Sequence, residues 1–250
     1  MLTQERHSRI LEIIKNKGSV TVSELCEIFN ASESTIRRDL AALTAVGKIN
    51  KVRGGAMLLS QEFLNIEENI NKKVNTNYNE KFRIAEYAAS LIQDEDYVFI
   101  DAGSTTFLLA TMITNTKATY VTNGIAQAQE LAAKGCHVIV LGGDLKKSTE
   151  AITGVVAAQN LQKYNFSKAF IGVNGATEKQ GFTTTDIEEA TIKAVAIERS
   201  FVSYVLADSS KFGKVSAVSI APIDSSSIIC DKCSDNEIKT MTVVKEVAAL

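Results

Sequence analysis

The chain has little cysteine and little histidine, and each shortage closes off a class of function. Four cysteines in 250 residues (Cys26, Cys136, Cys230 and Cys233) are too few for a disulfide framework. Cys230 and Cys233 form a single C-x-x-C, but zinc needs two more ligands, and His7 and His137 are isolated in the sequence. No metal is expected, and the thiols are read as buried or half-buried. No apolar run reaches the roughly 18 residues that a membrane span requires. The opening M-L-T-Q-E-R-H lacks the apolar stretch of a signal peptide, so a cytoplasmic location without membrane contact is expected. There is no G-x-x-x-x-G-K phosphate loop, no internal repeat and no low-complexity tract. What is present is a hydrophobic content of 45%, enough to fill the core of one large domain or two smaller ones.

The formal charge of −2 hides an asymmetry. Residues 1–60 carry nine Lys/Arg and six Asp/Glu, a net of +3; the remainder carries eighteen and twenty-three, a net of −5. A basic first quarter on an acidic chain suits a nucleic-acid footprint confined to one small domain.

That first quarter reads as three helices and a hairpin. Helix one covers Thr3–Asn16, burying Ile10, Leu11, Ile13 and Ile14, and stops at Gly18. Helix two opens on the capping box T-V-S-E, with Thr21 paired to Glu24, and has the stripe Val22, Leu25, Ile28, Phe29. Helix three starts near Ser32 in S-E-S-T-I-R-R-D-L, buries Ile36, Leu40 and Leu43, and ends at Gly47. K-I-N-K-V-R, Gly54–Gly55 and A-M-L-L then read as a two-stranded wing. The short second helix, the tight turn and the hydroxyl-rich third helix make a winged helix-turn-helix over residues 1–58. Ser32, Ser34, Thr35, Arg37, Arg38, Lys51 and Arg53 are its candidate contacts to double-stranded DNA. Arg37 and Arg38 point about 100° apart, so they are expected to differ in role. The alternative is an ordinary bundle with solvated arginines; the basic wing and the charge split disfavour it.

Residues 59–79, rich in Asn and charge, read as a linker. From residue 80 to 250, helical and strand patterns alternate: a helix at Glu80–Ile92, a strand at Tyr97–Ile100, then Tyr120–Thr122, His137–Leu141, Ala169–Val173, Ser203–Leu206 and Ile228–Cys230, with helices at Ile125–Lys134 and Ile187–Arg199. Such alternation predicts an α/β domain with a mostly parallel sheet, whose ligands bind at the carboxyl ends of the strands. The polar turns fall at those ends. D-A-G-S-T-T (Asp101–Thr106) offers helix-start amides and hydroxyls to a phosphate. A-D-S-S-K-F-G (Ala207–Gly213) presents Lys211, and T-N-G and L-G-G-D-L add hydrogen-bonding groups. Taken singly, each could be an ordinary capped turn; at the ends of one sheet they point together to a polar small-molecule pocket.

In chain order, S-E-S-T-I-R-R-D-L, G-K-I-N-K-V-R-G-G-A, D-A-G-S-T-T, V-T-N, L-G-G, F-I-G-V-N-G, G-F-T-T and L-A-D-S-S-K-F-G resemble the signatures of the DeoR family of bacterial transcriptional regulators. The resemblance implies an N-terminal winged helix-turn-helix and a C-terminal sensor domain similar in fold to ribose-5-phosphate isomerase. It also implies a phosphorylated sugar as effector, repression of a sugar-use operon, and homo-oligomers on operator DNA. The texture is similar to the fructose- and lactose/tagatose-system repressors. Carried onto this sequence, the effector site comprises Asp101, Gly103, Ser104, Thr105, Thr106, Thr122, Asn123, Gly142, Gly143, Gly172, Asn174, Gly175 and Lys211. Two positions depart from the family pattern: Ser167 stands for the usual Asp before K-A-F-I-G, and Cys230 for the usual Thr before Asp231.

The competing class is an isomerase fused to a DNA-binding domain. Isomerisation needs a carboxylate base beside the carbon that loses its proton. In the isomerases that the domain resembles, the strand equivalent to Ala169–Val173 runs into an acidic pair; here Asn174 and Gly175 take those places. No catalytic residue and no cofactor is therefore expected.

Overall fold

A computed structural model describes residues 3–46, 48–58, 62–63 and 70–247. Gly47, expected to end helix three, and residues 59–61 and 64–69 of the expected linker lie outside the described residues. Internal packing divides the chain into two compact units, Met1–Glu62 and Phe63–Leu250.

In the first unit the elements are α1 (Thr3–Lys17), β1 (Ser19–Thr21), α2 (Val22–Phe29), α3 (Glu33–Ala45), β2 (Ile49–Val52) and β3 (Gly55–Leu58). Thr21 caps α2 and Glu24 reaches back, as the capping box requires. Ile10, Ile14, Leu25, Ile36, Leu40 and Ile49 form a fully buried core. Two expectations are corrected. Ile28 is half-exposed and does not belong to the buried stripe, because α2 is only two turns long and turns that position outward. The wing has a third strand: β1 pairs antiparallel with β3, a pairing that three residues between two helices did not announce.

A two-residue strand, β4 (Glu62–Phe63), lies at the division. The second unit then runs α4 (Ile70–Asn75), α5 (Tyr78–Ser90), β5 (Tyr97–Ile100), α6 (Ser104–Met112), β6 (Thr119–Thr122), α7 (Ile125–Ala133), β7 (His137–Val140), β8 (Asp144–Lys146), β9 (Ala151–Thr153), α8 (Gly154–Leu161), β10 (Phe166–Gly172), β11 (Gly175–Thr177), β12 (Gly181–Thr184), α9 (Ile187–Glu198), β13 (Ser200–Leu206), β14 (Lys214–Val215), β15 (Val218–Ala221), β16 (Ser227–Cys230), α10 (Asn236–Met241) and β17 (Val244–Glu246). It thus takes in α4 and the first two residues of α5, both within the expected linker span. Lys81 ties this stretch down by donating to the carbonyl of Lys73, and Asn77 does so by donating to Asp208.

Seven strands form one parallel sheet in the order β17-β16-β13-β10-β5-β6-β7. Successive strand residues alternate between its two faces, so both are apolar. Phe99, Ala169, Ile171 and Val205 pack under α8 and α9, and Val98, Ile100, Phe170 and Leu206 pack under α5 and α6. From β5 the chain builds outward through β6 and β7 on one side. On the other side it builds through β10, β13, β16 and β17. The order reverses between β5 and β10, and the crevice at the carboxyl ends of those two strands is where such a sheet takes ligands.

Candidate functional site

The crevice is closed across its base by one carboxylate. Asp101, directly after β5, accepts from the amide of Gly172 at the end of β10 at 2.9 Å and from the ammonium of Lys193 on α9. Both side chains are buried. Burial pushes the Asp101 carboxyl up, against the opposing pull of Lys193 and the Gly172 amide.

Above this base, α6 begins without a cap. Gly103 at its N-cap has no side chain to offer, and no acceptor among the described residues takes the amides of Ser104 and Thr105. Orphan donors at a helix start, reinforced by its dipole, can hold an anion. Lys73, Lys81 and Lys211 line the same cavity, together with Gly172, Asn174, Thr149, Glu189 and Lys193. The cavity is small, about 50 Å³.

Of the thirteen effector residues expected from the sequence, Gly103, Ser104, Thr105, Gly172, Asn174 and Lys211 line this cavity. The other seven do not, and their roles are visible. Asp101 is the base just described. Thr106 donates to the Gly103 carbonyl, and Thr122 donates to the Ile100 carbonyl at 2.6 Å. Asn123 accepts from the Ala102 amide at 2.8 Å and so shapes the loop from below. Gly142 lies beside Asn160. Gly143 and Gly175 are glycines of close approach. A Cβ would lie 2.5 Å from the Thr153 carbonyl oxygen at Gly143, and 2.1 Å from the Lys214 carbonyl oxygen at Gly175. These residues build the walls behind the lining.

Five polar or charged lining residues escaped the sequence reading: Lys73, Lys81, Thr149, Glu189 and Lys193. A signal existed for three of them. Lys81 shares the buried face of α5 with Ile84, Ala85 and Ala88, and Glu189 and Lys193 interrupt the buried face of α9 four residues apart. A charge on an apolar stripe needs a partner or a ligand. Glu189 accepts from Lys146 at 3.1 Å and from Thr149 at 3.0 Å. Burial raises its pKa, but Lys193 and Lys146 outweigh burial and hold the carboxylate below its ordinary range.

The two departures from the family pattern lie away from the cavity lining. Ser167 sits at the opposite end of β10, donating to Asp96 at 2.8 Å. Cys230 is fully buried within the sheet, its thiol pushed up to about 12 chiefly by burial. A larger groove of about 710 Å³, lined by Phe82, Met112 and Lys117, borders the amino-terminal side of β5; its Lys117–Asp94 ion pair is solvent-exposed.

In the first unit, Ser32 caps α3, its Oγ accepting from the Thr35 amide at 3.3 Å and lying within 3.0 Å of the Ser34 and Thr35 hydroxyls. Ser32, Ser34, Arg37, Arg38, Lys51 and Arg53 are exposed, and Thr35 is half-buried. Arg37 is paired with Glu33 one turn earlier, whereas Arg38 has no side-chain partner among the described residues. Asp39, on the inner side, accepts from Arg6 at 2.6 Å and lies 3.0 Å from His7, anchoring α3 to α1.

Residues 6–62 match the DeoR-like helix-turn-helix domain, and residues 76–232 match the DeoR C terminal sensor domain. The chain belongs to the DeoR family. It is 39% identical to the "Uncharacterized HTH-type transcriptional regulator FruR" of Bacillus subtilis (strain 168) over 251 residues, covering 99% of each chain. It is 31% identical to a lactose phosphotransferase system repressor of Streptococcus mutans over 243 residues, covering 95% of each. Ribose 5-phosphate isomerase A from Methanocaldococcus jannaschii has a TM-score of 0.42 and 16% identity, covering 56% of each chain. This DeoR-family chain is thus a DNA-binding transcription regulator with a sensor domain. None of its described helices is long and apolar enough to cross a membrane.

Proposed function

We propose that this DeoR-family regulator is a cytoplasmic repressor of a sugar-use operon. In this reading it binds operator DNA as a homo-oligomer and releases or reshapes that grip when a phosphorylated sugar enters the sensor cavity. The carrying observation is the uncapped start of α6 facing Lys73, Lys81 and Lys211: orphan amides and three ammoniums converge where a phosphate dianion would sit. A cavity of about 50 Å³ has room for one or two waters, against the ~300 Å³ of an ordinary ligand site. Effector entry therefore moves part of the lining. The short helix α4 brings Lys73, and Lys81 donates to the Lys73 carbonyl. A phosphate that takes over the Lys81 ammonium loosens α4, and the preceding chain carries that change toward the DNA-binding unit. DNA affinity shifts only as far as the effector prefers one arrangement over the other.

The pocket is read as a sensor rather than an active site. Glu189 is the one carboxylate lining it among the described residues, and its neighbouring lysines depress the pKa that a general base needs raised. Interconversion of ribose 5-phosphate and ribulose 5-phosphate by the purified protein would overturn this.

A gel shift on the DNA upstream of the protein's own gene, repeated with a panel of sugar phosphates, tests the whole reading. Lys211→Ala should leave operator binding intact and weaken the effector response about tenfold or more, since a charge-assisted bond to phosphate is lost. A variant that still responds at wild-type effector concentrations would remove Lys211 from the site.

For the DNA contacts we propose unequal arginines. Arg38 has no competing side-chain partner among the described residues, whereas Arg37 already meets Glu33, a surface pair of small net strength. Arg38→Ala is expected to weaken operator binding by about 1–3 kcal/mol and Arg37→Ala by less. Fluorescence anisotropy at fixed salt reads both, and the reverse order would refute the assignment.

A further inference from the structure

The end of the cavity away from the three lysines has a different character. Asp208 feels Lys211 and Lys81, which together with Ser210 and Asn77 outweigh its burial. Glu189, by contrast, feels Lys193 and Lys146. Asp208 accepts from Asn77 and Ser210, and Glu189 accepts from Lys146 and Thr149, so one group is tied to the start of α5 and the turn at Lys211 and the other to the β8–β9 hairpin. At the hairpin end Glu189, Asp186 and Asp101 meet Lys146 and Lys193. Lys146 is shared between Asp186 and Glu189, and Lys193 is paired with Asp101.

The helix starts differ in the same sense. The start of α6 is uncapped, but Asp186 caps α9, accepting from the amides of Glu188 and Glu189 at 2.9 and 3.0 Å. That second start has no donors left for an anion. Glu189 itself is more than nine-tenths buried and lines the cavity, and only its Oε1 accepts from Lys146 and Thr149. Its Oε2 has no hydrogen-bond partner among the described residues. Asn174, also in the lining, accepts from Thr184 through its Oδ1, and its Nδ2 donors have no partner among the described residues. An acceptor and a donor without partners among the described residues, the acceptor on a carboxylate held in its charged form, suit hydroxyl groups.

Resting on the reading of the cavity as a phosphorylated-sugar site, we propose that Glu189 is a specificity residue: it takes the hydroxyl groups of an effector bearing a single phosphate and rejects a second anionic group at that end.

Thermal-shift and calorimetric titrations of the full chain with fructose 1-phosphate, tagatose 6-phosphate and fructose 1,6-bisphosphate, at matched ionic strength, test this. A monophosphate is expected to bind at least about tenfold more tightly than the bisphosphate, because like charges meet in the latter complex. Glu189→Gln removes the charge at nearly constant shape and should bring the ratio to about threefold or below, while Glu189→Asp should keep the preference. A bisphosphate that binds wild type as tightly as either monophosphate overturns the proposal even if neither variant folds. So does a ratio unchanged in Glu189→Gln. If neither inorganic phosphate nor any sugar phosphate shifts the melting temperature, the underlying reading of the cavity fails, and the selectivity falls with it.

Discussion

Lys193→Met is expected to cost the sensor unit about 3–5 kcal/mol, measured by urea denaturation at pH 7. Methionine keeps the apolar stem and removes the ammonium with its charge and donors. What it leaves is Asp101, fully buried at the base of the crevice, with the Gly172 amide as its one remaining partner among the described residues. Glu189 loses a compensating charge as well. Burial already raises the Asp101 pKa, and removing the ammonium raises it further. A carboxyl whose folded pKa lies above its unfolded value supports folding below that unfolded value, about 4, and loses this support as pH rises. Wild type and variant lose this support together from about pH 4, and the deficit of the variant widens only above the folded pKa of wild-type Asp101, toward neutrality. Adding Asp101→Asn should restore most of the loss, since a buried pair replaced as a whole leaves no uncompensated charge. A single variant that loses less than about 1 kcal/mol, or a double variant no better than the single, would show that the pair does not hold β5, β10 and α9 together.

The second large effect falls in the DNA-binding unit. Asp39→Ala is expected to destabilise it by about 2–3 kcal/mol, because a buried carboxylate with charged hydrogen bonds is removed from a unit of only 62 residues. In the wild type, burial works against ionisation of Asp39, but Arg6 and His7 outweigh it and bring the pKa below the ordinary value of 3.8. The sign follows: the contribution of Asp39 is complete above about pH 4 and is lost as pH falls through its lower folded value. The gap between wild type and variant should be flat from pH 5 to 8 and close in acid. Operator binding should weaken too, although Asp39 faces away from the exposed side of α3, since the helix loses its anchor to α1. A gap that persists unchanged below pH 4, or a variant with wild-type stability, would assign Asp39 no such role.

Patterns that repeat locally were legible in the sequence. The capping box of α2, the serine that starts α3 and the apolar stripe of Ile36, Leu40 and Leu43 are short-range facts, fixed by side chains within one or two turns of each other. The alternation of strands and helices likewise implied a parallel sheet, because parallel neighbours need crossover helices. Edges were less legible. The additional strand β1 and the short helix α4 have too few residues to carry a period, and α4 owes its place to Lys81 rather than to its own propensity.

By itself, then, the sequence determined the division of the chain into a DNA-reading and a sensing part, and which loops would meet at the ends of the strands. Loop motifs are contiguous, and strand ends must converge once the order of the sheet is set. Which residues line the cavity was decided only in three dimensions. Lys81, Glu189 and Lys193 lie on helices far apart in sequence, and their burial is tolerable only because folding brings Asp101, Lys146 and the Lys73 carbonyl to meet them. Conversely, Thr122, Asn123, Gly143 and Gly175 look like ligand residues in one dimension. In the fold their polar atoms or their lack of a side chain are consumed by the backbone around them. Hydrogen-bonding capacity is written in the residue type; whether it is already spent depends on neighbours that only the tertiary structure supplies.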